Sequence, residues 1–437
     1  MTDTDKILDE LLAEFGSDSV TEELGLWDLL DENEPAERQL PNRRENKGHS
    51  AAEKKQVHRE HAARKTEREN TSLEKHSQKQ KITGQDRDLQ NEKRGFSAVR
   101  ILVRSLMILL ETVVLLLVTV YGVMFVLAKG PSVTARELFV RSVRETSAVG
   151  FLADIYLTEE EIAQIENVQE IEEFQETDTS LVTITKPTEN ADGPVADEWG
   201  FIDEDGDGII LDEVKGEGFS GYMMIVLDPS RVIMGSVPSS YGGRGYTVEQ
   251  MVAHFDAVAG INAGGFLDPN GEGNGSIPDS LTVFEGEVYY ANMGVRQGFV
   301  GLDSNHILHV GKPTVDEIKA WDIQYGASFG PVLITNGEVA LPESNVGGLN
   351  PRTAIGQRSD GAILLLVIDG RQVISIGATL RDLVDIFLEY GAINACNLDG
   401  GSSTMMWFGD GYVNNCASVI GIRPVPTSFV VLKEGKQ

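Results

Sequence analysis

Apolar residues are distributed in three regimes along this chain. From about Pro41 to Arg94 large apolar side chains are scarce among Lys, Glu, Gln, Asn, Arg and His. From Ser105 to Ala128 the chain is apolar for 24 residues, with Glu111 as its only charge. At 1.5 Å rise per residue this run is long enough to cross a ~30 Å hydrocarbon core. It predicts a single transmembrane helix over 98–129, with Glu111 in its first turns, where water or a basic neighbour reaches it. From Thr134 to Val168, residues Leu138, Phe139, Val143, Phe151, Leu152, Ile155, Ile162 and Ile165 recur with a helical period. Two readings fit them, a helical stalk or an element packed on the downstream unit. Residues 169–200, acidic, rich in Thr and carrying Pro187 and Pro194, read as a linker, so 130–200 is expected to be stalk and linker.

From Gly218 onward the pattern changes to short apolar runs such as Met223-Met224-Ile225-Val226-Leu227 and Ile363-Leu364-Leu365-Leu366-Val367-Ile368. Runs of this length between turn residues predict buried strands. Helices are expected at Thr247 to Ala257 and Thr379 to Tyr390, the second with Thr379 as N-cap and Gly391 as its stop. The fold class expected for 218–437 is therefore α+β, with mixed sheets and packed helices.

Charge adds orientation and context. The balance is −12 over residues 1–37, +9 over 38–104 and −28 over 105–437. Lys93, Arg94, Arg100 and Arg104 crowd the N-terminal flank of the apolar run, against Lys129 and Arg136 on the other side. The positive-inside rule then puts residues 1–97 in the cytoplasm and the C-terminal part outside, in a single-pass topology. About a hundred polar residues precede the run and no clear small-residue site follows it, which argues against a cleavable signal peptide. The tail over 1–97 is expected to be mostly disordered, with bases near the bilayer able to hold anionic lipid. Ile7, Leu8, Leu11, Leu12 and Phe15, then Leu24, Leu26, Trp27, Leu29 and Leu30, form two apolar clusters suited to docking a cytoplasmic partner. An ectodomain this acidic repels polyanions, so nucleic acid is not an expected partner.

Residues 201–217 carry an acidic loop. Asp203, Asp205 and Asp207 fall at positions 1, 3 and 5, Gly208 at 6 and Ile210 at 8 of a calcium-loop pattern, in which alternating carboxylates converge on one cation. Position 12 is Val214, and Asp212 or Glu213 is the available substitute for the missing bidentate Glu. Calcium and a metal-free acidic turn are both open. No zinc signature accompanies the only two cysteines, Cys396 and Cys416, which fit either a bridge or two buried thiols. No dinucleotide or P-loop fingerprint occurs, and the Gly-x-Ser-x-Gly elbow of a serine hydrolase is missing.

The densest chemistry lies in Asn397-Leu398-Asp399-Gly400-Gly401-Ser402-Ser403-Thr404-Met405, where an acid and two hydroxyls sit beside paired glycines directly after an apolar run. Glycine lets a strand turn sharply and lets a ligand approach backbone N–H groups. Upstream, in order, come Gly260-Ile261-Asn262-Ala263-Gly264-Gly265-Phe266, Ser328-Phe329-Gly330-Pro331, Pro351-Arg352-Thr353-Ala354-Ile355-Gly356 and Val367-Ile368-Asp369-Gly370-Arg371. This ordered set resembles the phosphodiester glycosidase family over roughly Gly218 to Leu432. The chain departs from the usual spelling at Ala395-Cys396 and has Gly-Gly-Ser-Ser where some members have three glycines.

The resemblance implies hydrolysis of a glycosidic bond to phosphate. That reaction needs little acid assistance, because a phosphodiester is a fair leaving group, and benefits from cations at the phosphate and carboxylates at the oxocarbenium-like centre. It carries over Asp399 as first and Asp369 as second catalytic carboxylate, with Asn262, Gly264, Gly265, Arg352, Arg371, Gly400, Ser402 and Ser403 around the substrate. Thr404 joins them as a neutral donor. Residue chemistry agrees in outline: both acids end apolar runs, and both arginines can clamp a phosphate. Each also has a plain alternative, because Asp-Gly pairs are ordinary turn formers and Arg371 can simply pair with Asp369. The expected function is a membrane-anchored extracellular hydrolase releasing a sugar, N-acetylglucosamine among the candidates, from a glycosyl-1-phosphodiester in an exopolysaccharide or teichoic-acid-like cell-wall polymer. The competing class is a glycan-binding or assembly protein of surface-polymer biosynthesis that keeps the fold without turnover.

Overall fold

The structure is a computed structural model and describes residues 100–146, 149–166, 175–185, 195–268, 273–290, 298–342, 347–418 and 420–435. The expectations for the tail over 1–97 lie outside the described residues. The chain divides into two units, Met1–Met107 and Ile108–Gln437; the fold that carries the chemistry lies in the second.

Its backbone is a seven-stranded sheet in the order Ile209–Gly216, Phe219–Val226, Ile363–Ile368, Arg352–Arg358, Ala392–Leu398, Val332–Thr335, Glu338–Val339. A five-stranded sheet runs Gly411–Tyr412, Met406–Phe408, Ala257–Asn262, Thr427–Leu432, Val232–Ser236, and another runs Leu308–Gly311, Phe299–Asp303, Ile323–Ser328, Thr282–Phe284, Glu287–Tyr290. Expected mixed sheets are corrected here: the pairings in all three are antiparallel. The apolar runs misled because both faces of the large sheet are covered, which erases the alternation that usually marks antiparallel strands. Ile363, Leu365 and Val367 pack with Met234, Ile261 and Phe429 of the neighbouring sheet. Their alternates Leu364, Leu366 and Ile368 pack under a helix through Leu383 and Phe387. Truncating Phe387, fully buried, to Ala would cost about 3–5 kcal/mol.

Seven helices accompany the sheets among the described residues. The apolar helix α1 spans Arg100–Lys129. Val133–Arg144 (α2), Phe151–Tyr156 (α3) and Glu159–Glu166 (α4) follow it, then Val248–His254 (α5), Val315–Ala320 (α6) and Leu380–Glu389 (α7). Thr247 and Thr379 cap α5 and α7 through capping boxes with Gln250 and Asp382, which fixes both starts where the sequence placed them. Gly391, at φ +78°, lets the chain leave α7.

Helices α2 to α4 form no extended stalk. They fold into a collar on the end of α1, with Ala128, Val140, Ala153, Leu157 and Ile162 as its buried centre. The described residues of the stretch expected as a linker touch the large sheet: Thr183 and Thr185 donate backbone hydrogen bonds to Ser359 and Asp360. Asp197 pairs with the fully buried Arg358 at 2.7 Å, and that guanidinium stacks 4.0 Å over Trp199. Asp360 holds the same guanidinium at 2.6 Å, so removing Asp197 would leave the buried cation with one of its two acids and cost about 1–3 kcal/mol.

Candidate active site

The Ile363–Ile368 and Ala392–Leu398 strands flank Arg352–Arg358 and are both antiparallel to it, so their C-terminal ends lie at one sheet end beside Arg352. Arg352 pairs with Ile368, and Thr353 with Leu398. Asp399 and Gly400 step off there against the preceding loop. A Cβ on Gly400 would lie 2.7 Å from the Pro351 carbonyl oxygen. Gly401, at φ +61°, donates its N–H to that carbonyl at 2.8 Å. The paired glycines thus serve one close approach and one left-handed turn.

Next to this turn lies a cavity of about 590 Å³, walled by Asp399, Gly400 to Ser403, Asn397, Gly265, Phe266, Phe329, Asp268, Asp279, Arg352, Arg371, Arg423, Asn350 and the collar residues Glu145 and Thr146. Asp399 keeps partial access to solvent but is densely surrounded. Burial raises its carboxyl to about 6, against the opposing pull of the Ser403 hydroxyl, the Arg423 charge and the Gly400 N–H. A carboxyl titrating there is suited to proton transfer near neutral pH.

Three guanidinium groups face the same space. Arg352 is tied to Glu145 at 2.8 Å and to the Ala378 and Gly348 carbonyls. Arg423 pairs loosely with Asp268 at 3.5 Å. Arg371 has no acidic partner among the described residues; it donates to Ser402 Oγ at 3.2 Å, Thr146 Oγ1 at 2.9 Å and Asn350 Oδ1 at 3.2 Å. Crowding by protein and by Arg352 and Arg423 lowers its pKa, as expected where cations gather without enough anions. Arg371 sits at φ +58°, which turns it into the cavity mouth and away from the pairing with Asp369 that its sequence position allowed.

Several expected residues serve the site from behind. Asp369 is buried and does not line the cavity. Its carboxylate accepts from Asn415 N at 2.9 Å, Asn415 Nδ2 at 2.8 Å and Asn414 Nδ2 at 3.3 Å, so the side chain expected at the catalytic centre lies behind the cavity wall and fastens the Asn414–Asn415 turn. Asn262, fully buried, donates to the Asp399 carbonyl and accepts from Thr353 and Met405. It supports the Asp399 turn and does not reach substrate space. Gly264 packs its Cα where a Cβ would come 2.9 Å from Ala327 Cβ, and Thr404 is buried below the loop. Gly265, Arg352, Arg371, Gly400, Ser402 and Ser403 do line the cavity with Asp399. Sequence reading missed Arg423, Asp268, Asp279 and Glu145, because each is a lone charged residue outside the glycine-rich motifs.

In the acidic loop the carboxylates of Asp203, Asp205 and Asp207 all lie within 4.8 Å of one another. Asp207 has a raised pKa, from partial burial first and then from the charges of Asp205 and Asp203. Asp212 is not with them: it sits on the Ile209–Gly216 strand and accepts a hydrogen bond from the Tyr390 hydroxyl. Strand pairing turns the residue that would have closed the set toward α7. Cys396, buried, and Cys416, half-buried, are both free thiols.

An α+β domain with an arginine-lined cavity around one pKa-raised carboxylate is the class of site defined here. Residues 255–432 match the family described as phosphodiester glycosidase. The chain is 44% identical over 78 residues to the SPbeta prophage-derived uncharacterized protein YomE of Bacillus subtilis, covering 18% of this chain and 12% of that one. It is 25% identical over 211 residues to the N-acetylglucosamine-1-phosphodiester alpha-N-acetylglucosaminidase of Mus musculus, covering 43% of this chain and 40% of the relative. Among solved structures it is similar to the catalytic domain of the zebrafish enzyme of that name, auto-inhibited by its pro-peptide, at 19% identity and TM-score 0.44, over 52% of this chain and 82% of that one. The chain spans well under half the length of these curated relatives.

Proposed function

We propose that this protein hydrolyses a glycosyl-1-phosphodiester, releasing the sugar and leaving a phosphate monoester, as a single-pass membrane protein whose catalytic domain lies outside the cell. The observation that carries the reading is the family-matched cavity in which Arg352, Arg371 and Arg423 surround Asp399. In this scheme Arg371, with hydroxyl and amide partners only, takes the phosphate, and its neighbours offset the charge that builds on the departing oxygen. Above its pKa of about 6, Asp399 is an anion able to stabilise the cationic anomeric carbon and accept a proton from water. The breaking bond is C1–O, so water oxygen ends on the sugar. N-acetylglucosamine is the first sugar to try, since the mouse relative is named for it. A surface polysaccharide or teichoic-acid-like polymer is the natural source.

The full chain in detergent, given defined α- and β-glycosyl-1-phosphodiesters in oxygen-18 water, should yield free sugar carrying the label. Label on phosphate would mean cleavage at phosphorus, and binding without turnover would transfer the chain to the glycan-receptor class. Calcium at Asp203, Asp205 and Asp207 is the finer reading of the acidic loop. It predicts a rise in melting temperature with calcium that magnesium does not reproduce, given the ligand preferences of the two ions, and no rise would remove calcium from the reading.

A further inference from the structure

The collar joins the cavity to the end of the apolar helix by a very short path. Only the residues between Lys129 and Glu145 separate them, and α2 accounts for 12 of these, a rise of about 18 Å. The collar also folds back along α1 and does not extend away from it. The Tyr156 ring packs tilted against Tyr121, two turns inside α1, at 5.3 Å between centroids, and lies 6.4 Å from Phe139. Lys129 pairs with Glu161 at 2.7 Å. At its far end the collar is bound into the cavity wall: Glu145 accepts from Gly348 N and Asn350 Nδ2, each at 2.9 Å, Ser142 Oγ accepts from Leu349 N at 2.9 Å, and Thr146 receives Arg371. A Cβ on Gly348 would come 2.4 Å from Ser142 N, so the two surfaces meet at backbone distance.

Exposed apolar residues occur both on the collar and at the cavity mouth. On the collar, Phe151 is 59% and Ile155 51% exposed. Residues 371–376 form a tight hairpin, closed by Arg371 N to Ile376 O at 3.0 Å and Gln372 N to Ser375 O at 2.9 Å. Its base is Arg371 at the cavity mouth, and its tip, Val373 and Ile374, is 102% and 80% exposed. A soluble enzyme has no reason to hold two aliphatic side chains fully in water beside a phosphate-binding arginine, whereas an interfacial one gains by placing them among acyl chains.

We propose that the bilayer crossed by α1 is also the surface on which the cavity works, and that the substrate is a membrane-resident glycosyl phosphodiester, a sugar joined through phosphate to a lipid alcohol. Val373 and Ile374 rest in the outer leaflet with Phe151 and Ile155, which sets Arg371 at phosphate depth and the sugar toward Asp399. This rests on the phosphodiester glycosidase reading and on α1 spanning the membrane. Water adds to C1, the C1–O bond breaks, and the lipid phosphate leaves with the bonding pair.

The test places the full chain in vesicles of phosphatidylethanolamine and phosphatidylglycerol. It compares N-acetylglucosamine-1-phosphate esterified to a polyprenol in those vesicles with the same sugar phosphate esterified to methanol in solution. The parent should favour the lipid ester, and the double variant Val373→Asp, Ile374→Asp should lose at least about tenfold on it while staying within about threefold on the methyl ester. Equal loss on both esters, loss on neither, or a parent that prefers the methyl ester would each overturn the proposal. A parent that cleaves neither ester fails the glycosidase reading, and docking is then judged without turnover. Brominated lipid should quench the added tryptophan of Val373→Trp beyond the parent's own quenching, and no added quenching overturns the membrane contact.

Discussion

Asp369 and Asp399 make the most instructive pair in the molecule. Both follow largely buried strands that run the same way in one sheet, both precede glycine, and both leave the sheet beside Arg352. One has its carboxylate filled by three donors from Asn414 and Asn415. The other faces a cavity with its pKa raised to about 6. The dipeptide and its strand are the same, so neither decides the role. What decides it is whether donors from elsewhere in the fold have already satisfied the oxygens, since a carboxylate fully engaged in hydrogen bonds is a fastener and an under-solvated one is a reagent.

Exchanging each acid for its amide separates the two roles. The largest effect expected is on turnover: Asp399→Asn should lower kcat on a glycosyl phosphodiester by about 10³-fold or more, while Asp369→Asn keeps activity within about tenfold. Equal kinetic losses would erase the distinction. Next comes stability. Asp369→Asn sets an amide against the Asn415 amide and should cost about 2–3 kcal/mol, read as a lowered melting temperature. Asp399→Asn should do the reverse by about 1–3 kcal/mol at pH 7.5. The sign follows from proton counting. The folded chain holds the Asp399 proton up to about 6 and the unfolded chain only to ~3.9, so parent stability falls as pH rises through that window. The gain in the variant should therefore vanish near pH 4. Finest of all, the parent's pH–rate profile should carry a limb near pH 6, rising with Asp399 ionisation, that Asp369→Asn leaves in place.

Local signals in the sequence were readable where one segment contains its own cause. Thr379 and Gly391 delimit α7 by capping chemistry alone, and Gly400-Gly401 announces a turn that only glycine can make. Glycine-rich motifs also led to the cavity, since six of the eight positions placed around the substrate by resemblance lie in its wall: Gly265, Arg352, Arg371, Gly400, Ser402 and Ser403. What escaped depends on tertiary arrival. Glu145 comes from the collar, Asp268 and Asp279 from loops, and Arg423 from ahead of the last strand, and none carries a local pattern. Asp369 and Asn262 were placed at the substrate because their motifs are at the site, although their side chains turn inward.

The first two strands of the large sheet, Ile209–Gly216 and Phe219–Val226, precede the family-matched residues 255–432. They cover one side of Ile363–Ile368, whose six residues are buried on both faces. A fragment trimmed to the family boundary would leave that strand as an open edge, apolar above and below, with a row of unpaired N–H and C=O groups. Such an edge recruits any strand that meets it, including its own copy. The shortest soluble form of this domain therefore has to begin upstream of Ile209, and a shorter one should be recovered as aggregate however intact its cavity is.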